Sequence, residues 1–227
     1  MFYYDYSSLV FILPVVIFSF IVQIKLNSTY NKFSKISNSR NTTGAEIARL
    51  ILNSAGVYDV SIEHVGGKMT DHFDPTKNVI RLSDAVYSGT SVAAIGIAAH
   101  ETGHALQYAF GYAPMKFRSA IVGITNFSSK ILYFVIVLSF ALSIPLLCDI
   151  AVICFLVIFV FQLVTLPVEF NASRRAVNAI ESSGYTSSDV QGVKKVLGAA
   201  AMTYVAAMLS ALANLLRFIM INNRRND

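Results

Sequence analysis

Three polar residues stand together in an apolar stretch of this sequence: His100, Glu101 and His104, within AAHETGHALQ at 98–107. The stretch has helical spacing, and residues four apart lie on one face of a helix with Cβ atoms roughly 5 to 6 Å apart. Two imidazoles at that separation can bind one metal ion. The glutamate between them supplies a carboxylate that can accept a proton. The packing of an apolar helix requires none of these three residues.

The spacing is the H-E-x-x-H pattern, in which two histidines bind zinc and the glutamate is the general base of a metallopeptidase. With 4 histidines and 5 glutamates in 227 residues, chance gives this pattern in roughly one chain in a thousand of this composition. A second interpretation makes both histidines hydrogen-bonded helix residues without a metal. A catalytic zinc has three protein ligands and an open position for water, so the metal interpretation requires one further ligand.

Composition indicates a membrane protein around this motif. Hydrophobic residues make up 55% of the chain and charged residues only 14%, which is too apolar for an ordinary soluble protein. A membrane-spanning helix needs about 20 apolar residues, and the 36-residue block at 131–166 is long enough for two spans joined by a turn near Pro145, Cys148 and Asp149. The predicted spans are about 9–25, 131–147, 150–166 and 196–221.

Positive charge predicts the orientation of these spans. Lysine and arginine follow the first span and also lie between the third and fourth, so the segments 26–130 and 167–195 are expected in the cytoplasm. Arg224 and Arg225 would then lie outside the cell, against this rule.

The first segment has no basic start and no small-residue cleavage site, so we expect an uncleaved anchor. The net charge of +5 is explained by membrane orientation, and no nucleic-acid partner is expected.

A small α+β element precedes the motif helix. Thr43 and Glu46 form a capping-box pattern that predicts a helix ending near Gly56. Residues 57–63 alternate like a strand, two glycines make a turn at 66–67, and a second strand is predicted at 79–82. Hydroxyl groups at 88–91 predict the start of the motif helix, which should continue to about Ala109. The fold class is therefore mainly α: about four transmembrane helices with this element in a single domain, 1–227.

The third ligand is sought among the acidic residues that follow the motif. Glu169 comes immediately after the third span returns to the side predicted for the two histidines. The other acidic residues lie at the hairpin turn, at solvated helix ends or at the terminus: Asp149, Glu181, Asp189 and Asp227.

Cys148 and Cys154 form no CxxC motif, and we interpret them as packing residues.

Several longer motifs in one order resemble a known family, the bacterial membrane zinc metallopeptidases called YugP-like, which are more distantly similar to HtpX-type gluzincins. The motifs are TGAEIARLIL at 43–52, TDHFDP at 70–75, AAHETGHALQ at 98–107, GYAPMKFRS at 111–119, VTLPVEFNASRRA at 164–176 and VLGAAAMTYVAA at 196–207. The resemblance covers nearly the whole chain. It implies one zinc ion on His100, His104 and Glu169, with Glu101 as the catalytic base.

One departure from HtpX-type enzymes concerns the residues after the ligand glutamate. Those enzymes tend to have Ala-Asp three and four positions later, where the Asp can orient a zinc-bound histidine. Here these positions are Ala172 and Ser173. The candidates to replace the Asp are Asp71, Asp74 and Asn171.

The expected function is a zinc-dependent membrane endopeptidase that cleaves membrane or membrane-proximal proteins. Candidate donors to the developing oxyanion are His72, Arg174, Arg175 and Tyr204. The strand at 79–82 is either a core strand or an edge on which an extended substrate pairs.

The leading alternative function is a catalytically silent zinc-binding membrane scaffold, with His64 or His72 as a fourth zinc ligand. A transporter would need more polar residues in its spans.

Overall fold

A computed structural model describes the backbone of residues 6–142 and 144–226, and the side chains of 10–142 and 144–223. The secondary structure is dominated by helices, with three short strands, so the mainly α fold class is confirmed. The elements in chain order are α1 (Tyr6–Phe33), α2 (Gly44–Ser54), β1 (Ser61–Val65), β2 (His72–Asp74), β3 (Val79–Ser83), α3 (Asp84–Tyr87), α4 (Val92–Ala109), α5 (Ala113–Leu142), α6 (Pro145–Ser182) and α7 (Ser187–Asn226).

Four helices are long and apolar enough to cross a membrane, as predicted: α1, α5, α6 and α7. The helical bounds of α1, α6 and α7 extend well beyond the predicted spans, whereas α5 begins at Ala113, before the predicted span 131–147, and ends at Leu142, inside it. Within the long apolar block, α5 ends at Leu142 and α6 begins at Pro145, so the break comes earlier than predicted. Pro145 begins α6, because the fixed φ of proline suits the first turn of a helix and its missing N–H is not needed there. Cys148 and Asp149 consequently lie inside α6 and not in the turn.

The described residues form two compact units by their contacts. The spanning unit comprises the chain up to Val22, Lys116–Leu166 and the residues from Thr203 onward. The site unit comprises Gln23–Met115 and Pro167–Met202. Within the spanning unit, α6 and α7 contribute a cluster of buried side chains that includes Phe155 and Phe218. The single-domain assignment stays a prediction.

The sheet of the site unit has the strand order β1-β3-β2. β3 pairs with β1 in parallel and with β2 in antiparallel orientation. The predicted strand at 79–82 is therefore confirmed as a central strand. Since both of its edges are occupied, pairing of a substrate with β3 is excluded.

Two local predictions about this sheet were wrong. The first strand was predicted at 57–63 but begins at Ser61. The amide of Val57 instead donates to the carbonyl of Leu52 at the end of α2, so the residues that follow the helix close its last turn before the strand can start. The strand β2 was not predicted at all.

Local capping sets where the two helices of the core begin. Thr43 and Glu46 form the predicted capping box at α2. Ser91 Oγ accepts a hydrogen bond from the amide of Ala94 and caps α4, which runs to Ala109 as predicted. The apolar faces of α2, β3 and α4 form one core, and its fully buried side chains include Ile47, Leu52, Ile80, Leu82 and Ile95.

Candidate metal centre

Helices α4 and α6 approach each other closely at Gly103, one residue before His104. A Cβ atom on Gly103 would lie 2.7 Å from the backbone oxygen of Ala172, a distance that real Cβ contacts do not show. Small residues in the middle of α4, including Ala98 and Ala99, are fully buried. The glycine therefore brings the ligand-bearing face of α4 within side-chain reach of Glu169 on α6.

The structure brings together the three ligands predicted from the sequence. Glu169 Oε2 lies 3.2 Å from His100 Nε2 and 3.4 Å from His104 Nε2. The two imidazole rings are nearly perpendicular, with centroids 4.7 Å apart. Glu169 is only 2% exposed, so its carboxylate faces the two rings with little access to water.

These three residues fit a tetrahedral zinc ion. Zinc binds imidazole nitrogen and carboxylate oxygen at about 2.0–2.2 Å, which places two ligand atoms about 3.4 Å apart in a tetrahedron. The two separations from Glu169 to the histidines, 3.2 and 3.4 Å, match that spacing, and all three donor atoms lie within 4.8 Å of one another. Among the described residues, this is the only group of three or more His, Cys, Asp and Glu whose donor atoms lie this close, within 4.8 Å of one another.

A chain of hydrogen bonds fixes the tautomer of His104. A guanidinium can only donate, and Arg175 Nε donates to Asn171 Oδ1 at 2.9 Å. Gln107 Nε2 donates to the same oxygen at 3.0 Å and to the carbonyl of Val168 at 2.7 Å. The remaining amide atom, Gln107 Oε1, must therefore accept the hydrogen of His104 Nδ1 at 3.0 Å.

This tautomer determines what the other ring nitrogen of His104, Nε2, presents to Glu169. With its hydrogen on Nδ1, a neutral His104 presents a lone pair at Nε2, directed at the carboxylate of Glu169. Two electron-rich groups at this distance require a cation between them, either a proton or a metal ion. We call the residues Arg175, Asn171, Gln107 and His104 the amide relay.

The second histidine has a different partner. Ser173 Oγ lies 3.2 Å from Nδ1 of His100. Ser173 occupies the position at which HtpX-type enzymes tend to have Asp, so the hydroxyl stands where a carboxylate was expected. Both histidines are thus held by neutral side chains, an amide and a hydroxyl.

The predicted replacements for that Asp were wrong in two of three cases. Asp71 accepts from the backbone and hydroxyl of Ser83. Asp74 binds Thr76 and Arg81 on the sheet, which holds the pKa of its carboxyl well below the usual range. Asn171 acts only through Gln107. The helical spacing of Gln107 three residues after His104, and of Ser173 four after Glu169, could have indicated the actual partners.

Glu101 lies part-buried on α4 next to these ligands. Burial of the imidazole by itself lowers the pKa of His104. The hydrogen bond to Glu169 and the negative charges of Glu101 and Glu169 outweigh burial and raise that pKa. The same nitrogen lone pair is therefore attractive to a proton and to a metal ion.

The four candidate oxyanion donors have other surroundings. His72 lies on β2, where its Nδ1 donates to the carbonyl of Thr70. Arg175 belongs to the amide relay, Arg174 lines a groove between α6 and α7, and Tyr204 belongs to the spanning unit. His64 is not part of the described donor group, and its Nε2 is paired with Asp84.

Comparisons with known proteins agree with this geometry. A family model described as "Putative neutral zinc metallopeptidase" matches residues 8–223. The protein named "Putative membrane protease YugP" from Bacillus subtilis (strain 168) is 47% identical over 204 residues, which cover 89% of this chain and 91% of the relative. No solved structure matches the chain. Because the family model spans almost the whole chain and includes the H-E-x-x-H helix and Glu169, this chain belongs to the neutral zinc metallopeptidase family.

Proposed function

We propose that this protein is a zinc-dependent membrane endopeptidase, in which His100, His104 and Glu169 bind zinc and Glu101 is the general base. One observation carries the proposal. The buried carboxylate of Glu169 lies 3.2 and 3.4 Å from the Nε2 atoms of His100 and His104, and Glu101 is adjacent on the same helix as the histidines. Three protein ligands leave a fourth position for water, as in catalytic zinc sites of the gluzincin type.

Zinc held by these residues would activate a water molecule and polarise the scissile carbonyl. The Glu101 carboxylate accepts the proton of the attacking water and delivers it to the departing amine. The amide relay keeps His104 in the tautomer that presents its Nε2 lone pair. The Glu169 carboxylate would reduce the net charge of a bound zinc ion, and at 2% exposure it is shielded from bulk water.

The proposed substrates are membrane proteins and peptides close to the bilayer. Glu169 follows the predicted span at 150–166 by three residues in the same helix, a rise of about 5 Å. The lysines and arginines of 26–130 and 167–195 support a cytoplasmic site. β2 is an edge strand of the sheet, and it packs on α4 through Phe73 and Tyr108. An extended substrate would pair with this edge strand.

The test compares purified full-length variants in detergent for metal content and for cleavage of fluorescent casein and a panel of membrane proteins. Glu101→Gln should retain zinc and lose roughly 10²- to 10⁴-fold in rate. Glu169→Ala should lose zinc. Glu181→Gln, which alters an exposed glutamate of the same helix, is the control and should change neither property.

Undiminished cleavage by Glu101→Gln would exclude Glu101 as the base. Unchanged zinc stoichiometry in Glu169→Ala would remove Glu169 from the ligand set. If the wild-type protein binds zinc and cleaves no substrate of the panel, the silent scaffold becomes the better explanation.

A further inference from the structure

A groove of about 580 Å³ runs between α6 and α7 within the site unit. Its volume falls in the range of small-molecule sites. From α6 it is lined by Phe170 and, four residues later, by Arg174; from α7 it is lined by Lys194 and, eight residues later, by Met202. Glu101 and the three proposed metal ligands are not among its lining residues, but Ser173, the hydroxyl partner of His100, is, so the groove adjoins the metal centre without including its ligands.

The charged side chains of the groove are all positive. Arg174 and Lys194 are both exposed and line the same groove, and none of its lining residues is acidic. Within the described ranges, neither cation takes part in a salt bridge. Two cations without a protein counter-ion in one groove favour an anionic ligand.

Polarity changes along the groove. Phe170 on α6 and Met202 on α7 are the lining residues nearer to the apolar segments of their helices. Arg174 lies four residues farther along α6, roughly 6 Å away from Phe170 along the helix axis. Lys194 lies eight residues from Met202 along α7, roughly 12 Å away. Phe170 is 44% exposed. An anionic group joined directly to an apolar body would match this order.

Gly198 leaves part of the groove open. It lines the groove within α7, and a Cβ atom built on it would meet nothing within 4 Å. Neither a left-handed backbone nor a close neighbour requires glycine at this helical position. A glycine inside a helix costs about 0.5–1 kcal/mol relative to alanine. The open space it leaves enlarges the groove.

We propose that this groove binds an anionic phospholipid, with the phosphate between Arg174 and Lys194 and the acyl chains along Phe170 and Met202. Basic pockets between transmembrane helices bind lipid headgroups in this way. An acidic peptide would satisfy the two cations but has no need of an apolar end in line with them. The polarity gradient therefore favours the lipid.

Native mass spectrometry of the full chain in a non-ionic detergent tests the proposal, with dioleoyl phosphatidylglycerol and dioleoyl phosphatidylcholine as probes. Wild type should retain phosphatidylglycerol in preference to phosphatidylcholine. The double variant Arg174→Gln/Lys194→Gln should bind phosphatidylglycerol roughly 10- to 30-fold more weakly, since each cation near an anionic lipid contributes several-fold. Lys195→Gln alters the neighbouring exposed lysine outside the groove and should change binding less than two-fold, roughly.

Gly198→Leu tests the open space of the groove separately from its positive charge, because the leucine side chain fills the space and both cations stay in place. It should also weaken phosphatidylglycerol binding, while zinc content reports that the site unit is folded. Retention of full binding by Gly198→Leu, or an equal loss in Lys195→Gln and the double variant, would overturn the proposal. Displacement of the lipid by equimolar hexaglutamate or inorganic phosphate would likewise show that the groove is not a lipid site.

Discussion

Gln107 Oε1 accepts the Nδ1 hydrogen of His104 at 3.0 Å, while the amide nitrogen of Gln107 donates to the carbonyl of Val168, the residue before Glu169. One fully buried side chain thus orients one ligand and holds the helix that carries another. A neutral amide does this without adding negative charge to the metal centre.

Gln107→Leu should weaken zinc binding roughly 10- to 100-fold, the usual effect of removing a residue that orients a metal ligand. Competition with a chromogenic chelator measures the affinity. In the metal-free protein, ¹⁵N shifts of His104 should show loss of the single Nδ1–H tautomer, which a purely structural defect would not produce. Gln191→Leu, at an exposed position of α7, is the control. An unchanged affinity and tautomer in Gln107→Leu would show that the amide has no such role.

Arg175 sets the direction of the relay, because its guanidinium can only donate to Asn171. Arg175→Met should allow the Asn171 and Gln107 amides to reorient, and the zinc affinity should fall by a smaller factor than in Gln107→Leu. Arg175→Lys keeps a cationic donor and should restore most of the affinity. If lysine and methionine have equal effects, donation to Asn171 is not what matters at this position.

Ser173 contacts the other histidine, His100, through a hydroxyl that can either donate or accept. Ser173→Ala should weaken zinc binding roughly 10-fold, at the lower end of the 10- to 100-fold range for such contacts. Ser173→Asp should tighten it beyond wild type, because a carboxylate increases the basicity of the imidazole it orients. A weaker zinc affinity in Ser173→Asp than in Ser173→Ala would contradict this assignment.

Gly103→Ala should force α4 and α6 apart, because its Cβ would meet the Ala172 oxygen at 2.7 Å. Overpacking of this kind costs about 1–3 kcal/mol, and the separation should also weaken zinc binding. Gly96→Ala is the matched control on the same helix, since the nearest atoms to its Cβ would be the methyl groups of Val193, at 3.4 Å, and not backbone atoms. Thermal unfolding in detergent and zinc titration measure both effects. Equal stability and affinity in the two variants would mean that the close approach is not needed.

Much of this organisation could be predicted because it depends on local signals. Ser91 caps α4 through a contact three residues away, and the four-residue spacing of His100 and His104 places both on one face. Glu169 was favoured by its position after a span, and the structure places it beside both histidines. These inferences need only helical geometry and chain order.

The remaining features depend on how distant segments meet. β2 has three residues and is held by pairing with β3 and by the bond of Asp74 to Arg81, so its own sequence contains little strand signal. The contacts of Gln107 with Val168 and Asn171, and of Ser173 with His100, depend on the rotation and separation of α4 and α6. Their spacing within each helix indicates which face they share, but the identity of the partner requires the packed structure.

The ligand set of this site is divided across the chain: His100 and Glu169 are 69 positions apart, with α5 and the apolar part of α6 between them. During translation the two histidines leave the ribosome well before the glutamate. A nascent chain cannot assemble all three ligands until the helical hairpin between them has been synthesised. The order of synthesis therefore delays completion of the proposed metal centre until α5 and the apolar part of α6 have been made.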